Sequence, residues 1–65
     1  MRIIVNNEPR EVRGSTLAEL LEELGLGGAV VATAVNGSFT PAGQRSSRAL
    51  AEGDRVEVLA PMQGG

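Results

Sequence analysis

The chain has 65 residues, enough for one small domain, and its core depends on apolar packing because it has no cysteine for disulfides or thiolate metal sites. It also has no histidine, so it lacks the commonest metal ligand and the usual general base near neutral pH, which argues against an autonomous enzyme. A formal charge of −2, six arginines without a lysine, and a single aromatic residue argue against a nucleic-acid partner and exclude carriers that need an acceptor lysine.

The N-terminal residues predict a β-hairpin. Residues 2–6 are mainly β-branched and apolar, Asn7-Glu8-Pro9 has turn chemistry, and residues 10–13 form a second short extended piece. This opening segment is too short for a signal peptide, and no later apolar run approaches the length of a membrane span. We therefore expect a soluble, cytoplasmic protein without a membrane partner.

A single helix is predicted after the hairpin. Thr16 and Glu19 have the spacing of a capping box, in which the Thr hydroxyl accepts a bond from a free helix N–H. Leucines follow at spacings of three and four residues on one face: Leu17, Leu20, Leu21 and Leu24. Glu22 and Glu23 point to solvent, and Gly25 is positioned to end the helix in a left-handed conformation.

A near-continuous apolar run at residues 29–35 predicts a strand that is buried on both faces or nearly so. Asn36-Gly37 then turns the chain into a short edge strand at residues 38–40. Residues 41–47 are polar and irregular, without the periodicity of a second long helix.

The last predicted strand covers residues 55–60. Glu52-Gly53-Asp54 forms a turn before it, and the alternation of Val56 and Val58 indicates a half-buried strand. The order of elements favours an α+β protein of the β-grasp, or ubiquitin-like, type: a mixed sheet of four to five strands packed on one main helix. In that fold type the first and last strands lie side by side, in a single domain of residues 1–60.

The C-terminal residues 61–65 are predicted to form a flexible tail. The residues beyond Pro61 could reach roughly 13 Å from the domain when extended, which suits entry into a narrow channel. Because glycine has no Cβ, Gly64-Gly65 would allow the walls of such a channel to approach the backbone closely. A terminal carboxylate is a poor electrophile, but its mixed anhydride with AMP is open to attack by sulfur or nitrogen, and a partner enzyme must supply that chemistry.

Three segments of the chain resemble the ThiS family of sulfur carriers: AVNG at 34–37, LAEGDRVEV at 50–58 and QGG at 63–65. Each motif is short, but their order and the chain length are typical of the family. The resemblance implies adenylation of Gly65 by a ThiF-type enzyme that uses ATP, then conversion to a thiocarboxylate by a sulfur donor system. Thiazole synthase would consume this product in thiamine biosynthesis. Gly64 would provide clearance, Gln63 and Met62 would guide the tail, and the carrier itself would bind no cofactor or metal.

Three alternative functions stay open at this point. The small subunit of molybdopterin synthase is another β-grasp carrier that ends in Gly-Gly, and a protein modifier conjugated to lysines shares the activation of the tail. The chain could instead be a plain interaction module with an inert tail. Whether the chain is a carrier or an interaction module, three exposed apolar residues could dock a partner: Ile4, Phe39 and Leu59. We expect a monomer, because the tail must be free.

Overall fold

The computed structural model describes residues 1–60, which form a mixed five-stranded sheet with one helix on one of its faces. The elements in chain order are β1 (Arg2–Val5), β2 (Glu8–Glu11), α1 (Leu17–Glu23), β3 (Ala32–Val35), β4 (Ser38–Thr40), a short 3-10 helix (Ala42–Gln44) and β5 (Arg55–Leu59). The strands lie in the order β2-β1-β5-β3-β4, with β1 and β5 parallel and the other pairs antiparallel. This is the predicted β-grasp architecture, with the first and last strands adjacent.

The first hairpin turns earlier than its composition indicates. Asn6 and Asn7 have positive φ angles of 49° and 71°, as a two-residue turn between twisted strands requires. The prediction of a turn at Asn7-Glu8-Pro9 is therefore wrong for Glu8 and Pro9, which belong to β2. Pro9 is tolerated in this strand because β2 lies at the edge of the sheet, where the missing N–H of proline removes no hydrogen bond between strands.

Helix α1 has the predicted cap and apolar face. The hydroxyl of Thr16 accepts from the Glu19 N–H at 3.2 Å, and the Glu19 carboxylate accepts from the Thr16 N–H at 3.1 Å. Leu17, Leu20 and Leu21 are buried against the sheet. Gly25 follows the helix with a φ of 77°, the predicted left-handed ending. In residues 1–60, no helix is both long and apolar enough to cross a membrane.

Strand β3 is shorter and less buried than the apolar run at residues 29–35 predicts. It starts only at Ala32, and the preceding Val30 is 80% exposed. Within β3 the burial alternates, with Thr33 and Val35 facing the core. The prediction of burial on both faces is wrong because, in the described part of the chain, α1 covers only one face of the sheet.

The core lies between α1 and the covered face of the sheet. Its apolar members are Ile3, Val5, Val12, Leu17, Leu20, Leu21, Val35, Leu50, Val56 and Val58. Leu50 comes from the irregular segment that follows β4, which as predicted contains no long helix. Two backbone bonds tie this segment to the start of α1: Leu50 N–H donates to Ser15, and Leu17 N–H donates to Arg48, both at 2.9 Å.

Candidate functional site at the end of the central strand

Strand β5 is held on both sides to within a few residues of the predicted tail. It lies between β1 and β3, and β3 pairs with it as far as Leu59. Four predicted site residues follow this strand but lie outside the described residues: Met62, Gln63, Gly64 and Gly65. The structure therefore describes the strand that precedes residues 61–65. The roles assigned to residues 62–65 from the sequence remain predictions.

The side chain of Asn6 anchors the end of β5. Its amide nitrogen donates to the Val58 carbonyl at 3.0 Å, and its amide oxygen accepts from the Val58 N–H at 2.9 Å. The Asn6 backbone N–H also donates to Val56, at 2.9 Å. Asn6 thus continues the β1–β5 pairing with its side chain after its own backbone has turned away. The sequence pattern predicts only that Asn6 ends the first strand, because the bonds that its side chain makes join residues 52 positions apart.

The side chain of Asn36 anchors the start of β5. Its amide oxygen accepts from the Arg55 N–H at 3.0 Å, and its amide nitrogen donates to the Asp54 carboxylate at 3.0 Å. The other oxygen of Asp54 accepts from the Ala51 N–H at 2.8 Å. These bonds from Asn36 and Ala51 lower the pKa of Asp54. The carboxylate of Asp54 is therefore engaged in holding the turn before β5.

The three predicted docking residues lie on the uncovered face of the sheet, but they do not form one patch. Phe39 and Leu59 are 69% and 64% exposed and flank a shallow depression. Ile4 is only partly exposed and lies opposite Arg55 in the register of β1 and β5. The structure thus brings Phe39 of β4 and Leu59 of β5 together on either side of β3 and leaves Ile4 on β1, away from them.

Chemically, the described residues of this site can position a polypeptide end. Residues 1–60 contain no group of three or more acidic, cysteine or histidine side chains arranged to hold a metal ion. The carboxylates with lowered pKa values accept hydrogen bonds from turns and caps: Glu19, Glu23 and Asp54. The candidate site thus consists of the central strand β5, which is anchored at both ends and has an exposed apolar depression beside its last residue.

Comparisons with known proteins agree with this geometry. The model of the ThiS family matches residues 3–65. The chain is 44% identical over 61 residues to the sulfur carrier protein ThiS of Thermus thermophilus, a match that covers 94% of this chain and 95% of that protein.

Solved structures give the same result. The crystal structure of a thiamine biosynthesis protein (ThiS) from Geobacter metallireducens superposes with a TM-score of 0.84, at 32% identity and with full coverage of both chains. A solution structure of a thiamine biosynthesis protein from that organism gives a TM-score of 0.79 at 30% identity, covering all of this chain and 88% of the other. From the family match, the relative and the shared fold, this chain belongs to the ThiS family.

Proposed function

We propose that this chain is a sulfur carrier protein of thiamine biosynthesis, acting in the cytoplasm as a protein co-substrate and not as an enzyme. The observation that carries the proposal is the extent of the family match. It runs from residue 3 to residue 65, so that Gly64 and Gly65 lie inside the matched region. The Thermus thermophilus relative is named a sulfur carrier, and both Geobacter metallireducens structures are named for thiamine biosynthesis. These names favour a role in thiamine biosynthesis over a role as a subunit of molybdopterin synthase.

In the proposed reaction, the Gly65 carboxylate attacks the α-phosphate of ATP within a ThiF-type enzyme. Pyrophosphate leaves, and the product is a mixed anhydride of Gly65 with AMP. A sulfide-level nucleophile (HS⁻) supplied by the donor system then attacks the carbonyl carbon, a C–S bond forms as the C–O bond to AMP breaks, and loss of the proton from sulfur leaves a thiocarboxylate on Gly65. Thiazole synthase receives sulfur from this thiocarboxylate.

The residues of this chain contribute position and clearance to these steps. Because Gly64 and Gly65 have no Cβ, an enclosing active site can approach their backbone closely. Met62 and Gln63 would guide the tail between the domain and that site. The described structure supports this role through the anchoring of β5, since the amide of Asn6 holds Val58 only two residues before Ala60.

Intact-mass spectrometry tests the proposal. The purified chain is incubated with a ThiF-type enzyme, ATP and a sulfur donor, and we expect the mass change of one oxygen replaced by sulfur. Deletion of Gly65 should abolish this change, whereas Gly43→Ala should retain it, because a Cβ at Gly43 meets no atom within 4 Å. The product should then support thiazole formation by thiazole synthase. An unchanged mass for the wild-type chain with a matched activating enzyme would refute the proposal.

A further inference from the structure

The covered side of the sheet has an apolar groove at one end of the core. The groove has a volume of about 320 Å³ and lies where α1 ends, beside the last residues of β5. Glu8 and Arg10 of β2 border it. Five apolar side chains line it: Val5, Leu24, Leu26, Val31 and Val58. We call this feature the end groove.

Three side chains of the end groove are incompletely covered by residues 1–60. Leu24, Leu26 and Val31 pack against the core but are only half-buried. They belong to the connection between the end of α1 at Glu23 and the start of β3 at Ala32. An apolar groove that stays in contact with water costs free energy in proportion to its apolar area, so a further apolar side chain in it would be stabilising.

Hydrogen bonds hold the walls of the end groove in place. The Leu26 N–H donates to the Leu21 carbonyl at 2.8 Å, which fixes the chain after α1. The guanidinium group of Arg45 donates to the Val31 carbonyl and to the Thr33 hydroxyl, which fixes the chain before and within β3. The groove is therefore formed by the domain itself.

The course of β5 indicates which side chain fills the end groove. Side chains alternate between the two faces of a strand, and those of Val58 and Ala60 both border the groove. The next side chain in this alternation is that of Met62. Pro61 favours the continuation, because a proline restricts the preceding residue to extended conformations.

A methionine at position 62 suits the end groove in reach and in shape. Two residues span at most about 7 Å, so Met62 can reach a groove that Ala60 already borders. The unbranched thioether side chain of methionine adapts to irregular apolar gaps. Its short tether also gives it an effective concentration in the millimolar range, which a side chain of a second copy or of another protein does not have in dilute solution.

We infer that the end groove holds the side chain of Met62, which lies outside the described residues, and so sets the direction in which residues 63–65 leave the domain. The packing of Met62 is independent of the proposed function, whereas its consequence for activation rests on that function. A tail whose first residues are already ordered loses less conformational freedom when Gly65 enters an active site. Met62 is thus a positioning residue.

NMR spectroscopy of the full-length chain, without any enzyme, tests the packing. We expect nuclear Overhauser effects between the ε-methyl group of Met62 and the methyl groups of Leu26 and Val31. The chain has only two methionines, and Met1 precedes β1, whereas Val5 at the other end of that strand borders the groove. The signal of Met62 is identified by its loss in Met62→Ser.

Two neighbouring substitutions give a matched comparison. Met62→Ser should shift the methyl resonances of Leu26 and Val31 and lower the melting temperature by about 4 °C or more, because an apolar side chain leaves the groove. Gln63→Ser should change neither, since alternation directs residue 63 away from the groove. Met62→Leu keeps an apolar side chain and should restore most of the melting temperature.

A double-mutant cycle separates a contact in the groove from a general effect of the tail. Leu26→Ala destabilises the fold by itself. If Met62 contacts Leu26, the combined loss of unfolding free energy in Leu26→Ala with Met62→Ser should be smaller than the sum of the two single losses. Leu26→Ala with Gln63→Ser should be additive. Urea unfolding measures all of these variants.

Two results would overturn the inference. The first is additivity for both pairs together with unmoved methyl resonances in Met62→Ser, because the groove would then not hold this side chain. The second is a dependence of the Leu26 and Val31 resonances on protein concentration, because the occupant would then be a second copy of the chain.

Steady-state kinetics with the ThiF-type enzyme test the consequence for activation, with the carrier as the varied substrate. We expect Met62→Ser to raise KM about threefold or more with little change in kcat, because the chemistry at Gly65 is unaltered. Leu26→Ala should raise KM too, although it lies in the domain. Val30→Ala truncates a neighbouring side chain that is 80% exposed and should keep the wild-type KM. A wild-type KM for both Met62→Ser and Leu26→Ala would refute the positioning role.

The outcomes separate this inference from the proposed function. If the wild-type chain is never activated, the proposed function fails, while the NMR and unfolding experiments still decide whether Met62 occupies the end groove. If the wild type is activated but Met62 makes no contact with the groove, only the present inference is overturned.

Discussion

At the residue scale, the side chains of two asparagines form hydrogen bonds with the backbone at the ends of β5. Asn6 and Asn36 both have positive φ angles, of 49° and 51°, a conformation that asparagine tolerates better than most residues. A side-chain amide also carries the same donor and acceptor as a peptide group. Each asparagine can therefore turn the chain and still complete the hydrogen bonds of β5, whereas glycine could only turn it.

This dual role predicts different effects for two neighbouring substitutions. Asn6→Gly keeps the turn accessible but removes two hydrogen bonds to Val58, so it should lower the free energy of unfolding by about 1–3 kcal/mol. Asn7→Gly changes the other turn residue, whose φ is 71°, and should cost far less. Urea unfolding of both variants measures the difference. Equal losses would show that the amide of Asn6 contributes nothing beyond the turn.

At the element scale, α1 depends on interactions at its first turn, because a helix of seven residues is not stable by propensity alone. The Glu19 carboxylate accepts from the backbone N–H of Ser15 at 2.7 Å, from the Ser15 hydroxyl at 3.1 Å and from the Thr16 N–H. Glu23 accepts from the N–H groups of Arg13 and Gly14. Two helix carboxylates thus hold the connection from β2. The sequence predicted the capping box of Glu19 but indicated only a solvated position for Glu23.

These bonds lower the pKa of both carboxyl groups. For Glu19 the main causes are the backbone and side-chain bonds from Ser15, and for Glu23 they are the backbone bonds from Arg13 and Gly14. A pKa that is lower in the folded state than in the unfolded state means that ionisation favours folding. The stabilisation is complete above the ordinary glutamate value of 4.5 and is lost as the pH falls through the lowered, folded-state value.

We therefore expect the free energy of unfolding to be nearly constant from about pH 7 to about pH 5 and to fall at lower pH. Glu19→Gln should make this acid loss shallower, while its effect at neutral pH stays small because glutamine also completes a capping box. Glu22→Gln, at an exposed carboxylate of the same helix, should keep the wild-type slope. Denaturant titrations across this pH range provide the measurement, and identical slopes for all three proteins would contradict the assignment.

At the scale of the whole molecule, the two faces of the sheet differ within residues 1–60. One face packs against α1 and forms the core, whereas the other is not covered by a helix. Ile3 and Ile4 are neighbours in β1 but face opposite ways: Ile3 is fully buried under α1, whereas Ile4 lies partly exposed on the uncovered face. Stability therefore depends mainly on the residues of these strands that face α1. Residues on the uncovered face can be substituted without loss of the core.

Alanine substitutions at this pair measure the division. Ile3→Ala should cost about 2–5 kcal/mol, the range for a truncated core side chain, which is a large part of the stability of a domain this small. Ile4→Ala loses similar β-propensity but little burial and should cost about 1 kcal/mol or less. Thermal unfolding followed by circular dichroism compares them. Comparable losses would mean that the uncovered face also contributes to the core.

Local sequence determined the elements whose stabilising contacts lie close together in the chain. Three such features each require only a few residues and can be predicted without the structure. They are the capping box of Thr16 and Glu19, the Asn36-Gly37 turn and the alternation of Val56 and Val58. The prediction for Gly64 and Gly65 also came from sequence alone, because it depends on the covalent chemistry of a glycine end.

Tertiary structure decided the features that depend on contacts between distant residues. The exposure of Val30, the burial of Leu50 and the bonds from Asn6 to β5 follow from which elements meet. Alternation correctly assigned Leu59 to the uncovered face, but only the order β5-β3-β4 brings it beside Phe39. Periodicity specifies which way a side chain faces within its own strand. Which side chains become neighbours is decided by long-range strand pairing, which a single pattern along the chain does not encode.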